Sequence, residues 1–167
     1  VFGNQAVALA EKIDFKKGIA SSRSDLGLAY FYKGDLSKAI SLWETASEIR
    51  EKLNDKSGVA ALNIKIGAAY FKLGNYEKSL AGQMKALKMF EQLKNDFGAA
   101  QALNNVAAVF EMQKQYDKAR EYYWRAIAVH LNNKDTLQAA TVIINVGNIH
   151  YRQNNFDSAT WYWQNAL

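Results

Sequence analysis

Leu26-Gly27-Leu28-Ala29-Tyr30 returns forty residues later as Ile66-Gly67-Ala68-Ala69-Tyr70, then as Val106-Ala107-Ala108-Val109-Phe110, and again as Val146-Gly147-Asn148-Ile149-His150. Ala39, Ser79, Ala119 and Ala159 keep the same step, as do Ala46, Ala86, Ala126 and Ala166. A fixed period of this length marks a stacked-repeat architecture, in which each unit buries its apolar face on its neighbours. The function class that follows is binding along a stack.

One repeat shows the local structure. From Gly58 onward Ala61, Leu62, Ile64, Ile66, Ala69, Tyr70 and Leu73 recur at spacings of three and four, which predicts a helix. Gly74-Asn75 breaks the pattern, and a second helix runs through Met84, Leu87, Met89, Phe90 and Leu93 to the polar turn Lys94-Asn95-Asp96. Gly34-Asp35 and Asn154-Asn155 mark equivalent turns, whereas Lys114-Gln115 must turn without glycine. Gly27, Gly67, Ala107 and Gly147 are expected to lie against Ala39, Ser79, Ala119 and Ala159 of the second helix. A larger side chain there would overpack the contact at a cost of about 1–3 kcal/mol. Tyr30, Tyr70 and Phe110, with Tyr76, Tyr116 and Phe156, are expected to fill the remaining space, placing most aromatic residues in the core.

The pattern Leu-Gly-x-x-Tyr, then Gly-Asp or Gly-Asn, then Lys-Ala, then Ala, resembles the tetratricopeptide repeat over nearly the whole chain. The resemblance implies an all-α fold, an α-α superhelix built as a right-handed solenoid of antiparallel helix pairs. It implies one array over residues 1–167. Residues 4–14 form the second helix of a preceding repeat, followed by repeats at 16–54, 56–95, 97–133 and a truncated 136–167. The repeat is longer than the commoner thirty-four residues, and the helix-ending Pro is replaced by Asn54-Asp55-Lys56, Asn95-Asp96 and Asn132-Asn133-Lys134. Long repeats of this kind resemble those of signalling scaffolds and bacterial sensory regions.

Composition narrows the function classes. Of 167 residues 49% are hydrophobic and 22% charged, a globular balance, and no apolar run approaches the roughly 18 residues of a membrane span. No membrane contact is expected of this segment. The chain has no Cys, which removes disulfides and thiolate metal sites, and leaves a cytoplasmic or periplasmic home equally open. The net charge of +5 is spread among acidic residues, unlike the dense basic stripe of a nucleic-acid surface, so no nucleic acid is expected as partner. Neither end carries the polar cap a solenoid needs, so a piece of a longer protein is expected.

Chemistry is sparse. His130 and His150 are the only histidines and lie twenty residues apart, and His150 occupies the register of Tyr30, Tyr70 and Phe110, which argues for packing. No ligand-spaced cluster, phosphate loop or nucleophile elbow is present, so no catalytic residue, metal or cofactor is expected. Glu44, Glu48, Glu51 and Glu91 fall on outward helix positions.

In arrays of the family it resembles, the first helix of each repeat lines a concave groove. Carried onto this chain, that implies a groove of Ser24, Leu28, Phe31, Tyr32, Lys65, Ala68, Phe71, Lys72, Asn104, Asn105, Ala108, Met112, Asn145, Asn148, Tyr151 and Arg152, with Asp25, Ile64, Glu111 and Ile144 in the adjoining stripes. Positions three and four apart share a helix face, so these project together. Asn105 and Asn145 stand one repeat apart and could pair with an extended main chain, at about 0.5–1.5 kcal/mol per bond. Lys65, Lys72 and Arg152 could receive a carboxylate. Alternatively, Asn104, Asn105 and Asn145 satisfy backbone groups between adjacent repeats. The family's carboxylate clamp is matched only loosely.

The expected function is therefore a protein- or peptide-binding module with the ligand in this groove. The alternative is a sensory or oligomerising region of a bacterial signalling enzyme, a kinase or nucleotide cyclase with its catalytic domain outside this chain. A third reading is a peptide-responsive transcription regulator with a DNA-binding part upstream. Self-association through the truncated ends would use Trp161, Tyr162 and Trp163.

Overall fold

The computed structural model describes residues 2–166, with nothing stated of the Phe2 side chain. Among the described residues it contains nine helices and no strand. They are α1 (Phe2–Lys12), α2 (Lys16–Lys33), α3 (Leu36–Lys52), α4 (Lys56–Lys72), α5 (Tyr76–Gln92), α6 (Asp96–Met112), α7 (Tyr116–Asn132), α8 (Thr136–Arg152) and α9 (Phe156–Gln164). Val1 and Leu167, which the sequence reading included in the array, lie outside the described residues. The chain divides into two compact units, Val1–Met89 and Phe90–Leu167, the boundary falling within α5. In the first, α1 packs on α2, α2 on α3 and α3 on α4; in the second, α6 packs on α7, α7 on α8 and α8 on α9.

The forty-residue period is two near-identical halves. From α4 through α8 each helix has 17 residues and is followed by a three-residue turn. At each junction the amide after the left-handed residue reaches back five residues, as from Asp55 N–H to Arg50 O, 2.9 Å. The left-handed residue itself reaches back three, as from Asn54 N–H to Glu51 O, 2.9 Å. This double bond pattern satisfies the orphan carbonyls of the ending helix. The same residue then opens the next helix: side chains of Asp35, Asp55, Asn75, Asn95, Asp135 and Asn155 each accept from the amide three residues on. An Asx residue every twenty positions thus reverses the chain and nucleates the return helix. Gln115 breaks the series, making no cap bond. There the glycine-free turn is met by Lys114 at φ 59°, as Lys94 and Lys134 do at 53° and 58°.

The small first-helix residues are indeed places of close approach, but their main neighbours are not the Ala39 set. A Cβ on Gly27 would stand 2.5 Å from Trp43 Nε1, one on Gly67 2.6 Å from Gln83 Nε2, and one on Gly147 2.7 Å from Trp163 Cδ1. Positions 43, 83, 123 and 163 form a forty-residue series that the sequence reading missed. Trp43 Nε1 donates to Ser24 O at 2.9 Å, Gln83 Nε2 to Ile64 O at 3.1 Å and Trp163 Nε1 to Ile144 O at 3.3 Å. In α3, α5 and α9 the second helix therefore lays a long side chain over the small residue and ends it on a first-helix carbonyl, whereas Tyr123 of α7 donates to the Glu111 side chain at 2.9 Å. Ala39, Ser79, Ala119 and Ala159 are fully buried beside this contact.

The apolar spacing that marks the helices and the face they bury do not fully coincide. Ala61 is exposed, because α4 buries Val59, Ala60, Leu62, Ile64, Gly67 and Ala69 instead. Leu73 forms the helix end, and Met84 and Leu93 are only half covered, while Leu87 and Phe90 are buried. Fewer aromatics are core than expected: Phe156 is 54% exposed and Phe97 69%. Tyr30, Tyr70 and Phe110 keep their inward register, and Lys38, Lys78 and Lys118 lie over their rings at 4.3, 5.2 and 5.4 Å. The fourth repeat replaces that pair with His150, whose ring stacks on Tyr162 at 5.1 Å.

Candidate functional site

The first-helix positions singled out in the sequence are built into each unit in the same register. In the first unit Lys65 Nζ of α4 donates to Ser24 Oγ of α2 at 2.8 Å, and Lys72 Nζ lies 4.4 Å from the centre of the Phe31 ring. In the second, Asn145 Nδ2 of α8 donates to Asn104 Oδ1 of α6 at 3.2 Å, and Arg152 Nε lies 2.8 Å from Glu111 Oε1. Within each unit the partners are 41 residues apart, so one register ties neighbouring first helices by polar, cation–ring or ionic contact. Asn104 and Asn145 thus pair with each other through their side chains across neighbouring first helices.

Around these ties, residues differ in access. In the first unit Leu28 and Phe31 are half-buried against the Ala39, Trp43 and Leu62 core. Tyr32 projects, 77% exposed, its ring edge-on to Phe31 at 5.6 Å. Ala68 is half-buried and keeps the face shallow, and Phe71 packs edge-on to Tyr76 at 5.7 Å. Burial lowers the Lys65 pKa from its ordinary value. In the second unit Ala108 and Asn105 are half-buried, whereas Met112, Tyr151 and Arg152 are exposed. Asn148 Oδ1 accepts from Trp163 Nε1 at 3.2 Å; indole nitrogen only donates, which turns the Asn148 NH2 outward from that contact.

Glu111 is the residue whose role the sequence did not show. Its side chain is 10% exposed, yet it is charged, and it accepts from the Tyr123 hydroxyl at 2.9 Å on one oxygen while holding Arg152 on the other. Burial, together with the Glu111 charge, pushes the Tyr123 phenol well above its ordinary pKa. The tyrosine therefore remains a proton donor that fixes the carboxylate, which in turn fixes the guanidinium.

A cavity of about 260 Å³ continues the second unit's face one turn toward the helix starts, lined by Phe97, Gln101, Asn104, Asn105, His130, Gln138, Thr141 and Val142. The stripe expected from the sequence begins in α6 at Asn104; Gln101 and Phe97, one and two turns earlier on the same face, extend it to this end. A wider depression of about 630 Å³ lies at the end of α5 and between α6 and α7, floored by Ala99, Leu103, Ala128 and Val129. Its rim is already paired, Arg125 with Glu91 at 3.4 Å. Among the described residues no cluster of His, Asp or Glu is placed to hold a metal, and no helix is long and apolar enough to cross a membrane.

Comparison with known proteins places this architecture. Tetratricopeptide-repeat models match residues 19–57 and, in two overlapping stretches, 58–132 and 98–160. The chain belongs to the tetratricopeptide-repeat family. No curated protein sequence matches it. Solved structures share the fold at low identity. Aspartyl phosphate phosphatase F from Bacillus subtilis aligns at TM-score 0.80 and 20% identity, over 98% of this chain and 47% of that one. The Rap conjugation gene regulator of plasmid pLS20, solved in complex with the Phr* peptide, aligns at 0.81 and 21%, over 93% of this chain and 44% of that one. A signal transduction ATPase with a tetratricopeptide-repeat sensor, from Pyrococcus horikoshii, aligns at 0.83 and 22%, over 96% and 25%. The chain spans less than half the length of each of these three. The fold class is thus the α-α superhelix of antiparallel helix pairs shared with these neighbours.

Proposed function

We propose that this chain is a protein- or peptide-binding module that takes its ligand on the first-helix faces, the groove residues being those named from Ser24 to Arg152. The observation that carries this reading is the shared register of ties, Ser24–Lys65 and Phe31–Lys72 in one unit, Asn104–Asn145 and Glu111–Arg152 in the other. These contacts hold polar and charged side chains in fixed positions on a face whose small residues, Ala68 and Ala108, leave room. Preorganised donors of this kind lower the ordering cost of binding. Tyr32, Tyr151 and Met112 add apolar area beside them. The reading is consistent with a neighbour solved with a peptide.

The test is binding of a random peptide library to the parent chain and to Lys72→Ala and Arg152→Ala variants. Selected ligands should lose affinity in at least one variant; ligands bound equally by all three would place the site elsewhere. A second reading, a sensory region within a signalling enzyme, draws on the similarity to the sensor-bearing ATPase. The complete reading frame tests it, since a catalytic or membrane-spanning domain must be encoded beside this segment. Self-association through α9 would rely on Trp161, 58% exposed, more than on Trp163, whose ring nitrogen is already bonded within its own repeat. Sedimentation of Trp161→Ala tests that contact.

A further inference from the structure

We infer that the 260 Å³ cavity between α6, the end of α7 and α8 is a subsite for a neutral primary-amide side chain, that of Gln or Asn, in a bound peptide. This rests on the first-helix face being the binding face, and names what one part of it selects. The lining is rich in hydrogen-bonding groups yet carries no carboxylate, lysine or arginine: Gln101, Asn104, Asn105, Gln138 and Thr141 stand around Phe97, Val142 and the buried His130. The two acids next to this lining are engaged: Asp135 caps α8 through the Gln138 amide at 3.2 Å and faces His130 Nδ1 at 3.5 Å, and Asp96 accepts from Asn133 Nδ2 at 3.3 Å.

The remaining hydrogen-bonding capacity is of both signs. Asn104 uses its oxygen to accept from Asn145, which leaves its NH2 as donor. Thr141 donates its hydroxyl to Leu137 O at 3.0 Å, which leaves its oxygen as acceptor. A primary amide offers one acceptor and two donors and complements this set, while Phe97 and Val142 can cover its methylene stem. A carboxylate of the same shape would meet the Thr141 acceptor and find no cation, and would be desolvated without compensation. The corresponding register eighty residues earlier is charged, with Lys17, Asp25 and Arg50 where the second unit has Phe97, Asn105 and His130. The neutral lining is therefore particular to the second unit.

The experiment uses three probe peptides, acetyl-Ala-Ala-X-Ala-Ala-amide with X as Gln, Glu or Leu, titrated at pH 7 into the uniformly 15N-labelled chain. The Gln peptide should shift the side-chain amide signals of Gln101, Asn104 and Gln138 and bind about tenfold or more tightly than the Glu isostere. In Thr141→Phe, an exposed position whose new ring would fill the cavity, that preference should vanish. Equal affinity for Gln and Glu, or a preference that survives Thr141→Phe, overturns the assignment. If all three peptides shift first-helix signals alike, only the subsite falls. If none does, the first-helix reading falls with it.

Discussion

Glu111 joins Arg152 across two first helices, one oxygen 2.8 Å from the guanidinium Nε and the other accepting from Tyr123 at 2.9 Å. A carboxylate this covered depends on both partners. Arg152→Ala should destabilise the chain by about 1–2 kcal/mol, a range that already discounts for the half-exposed guanidinium. Adding Glu111→Gln should recover part of that loss, since the buried charge goes with it. Urea unfolding of the two single variants and the double variant measures the coupling; strictly additive effects would show that the pair contributes nothing.

The junction before α7, like that before α2, lacks the side-chain cap that the other six have. Gln115→Asp should supply the missing acceptor to the Lys118 amide and raise stability by about 0.5–1 kcal/mol. Lys114→Gly should relieve the left-handed lysine at φ 59°, with a gain under about 1 kcal/mol because glycine also loosens the unfolded chain. Thermal unfolding of both variants checks this, and a lower midpoint for Gln115→Asp would contradict it.

Gly27 and Trp43 share one space, the Cβ site lying 2.5 Å from the indole nitrogen. Gly27→Ala should push the indole off its bond to Ser24 O and cost about 1–3 kcal/mol. A blue- or red-shifted tryptophan emission accompanying that loss would report the displaced ring, whereas unchanged stability would show slack at the contact.

Burial, and secondarily the charge of Arg120, hold the His150 pKa below its ordinary 6.5. As pH falls, the unfolded chain takes up this proton before the folded one. The contribution of the neutral ring is complete above pH 6.5 and lost as pH drops below that value through the folded pKa. His150→Phe, which copies Phe110 of the preceding repeat, should flatten the difference in stability between pH 7 and pH 5. Urea midpoints at both pH values decide this; a parent chain more stable at pH 5 than the variant, relative to pH 7, would reverse the sign.

The repeat, its helix pairs and most turns were legible because they depend on residues with few substitutes: Gly and Ala where helices touch, Asx where one helix ends and the next begins. The Trp43, Gln83, Tyr123 and Trp163 series is hard to see in the sequence because Gln83 interrupts its aromatic members. Three of them share only a reach, a terminal donor long enough to cross to a carbonyl of the first helix. The ties of the candidate site were hidden for another reason. They join residues 41 apart, one step off the period, and pair unlike chemistries such as lysine with phenylalanine. Only the geometry of adjacent helices brings them together, as it does Asn104 and Asn145.

Backbone amide shifts of the 15N-labelled chain, followed while a library-selected peptide is added, test the first-helix face most directly. Perturbations should concentrate on α2, α4, α6 and α8, near Tyr32, Lys72, Met112 and Arg152. Perturbations confined to α3, α5, α7 and α9 would contradict it.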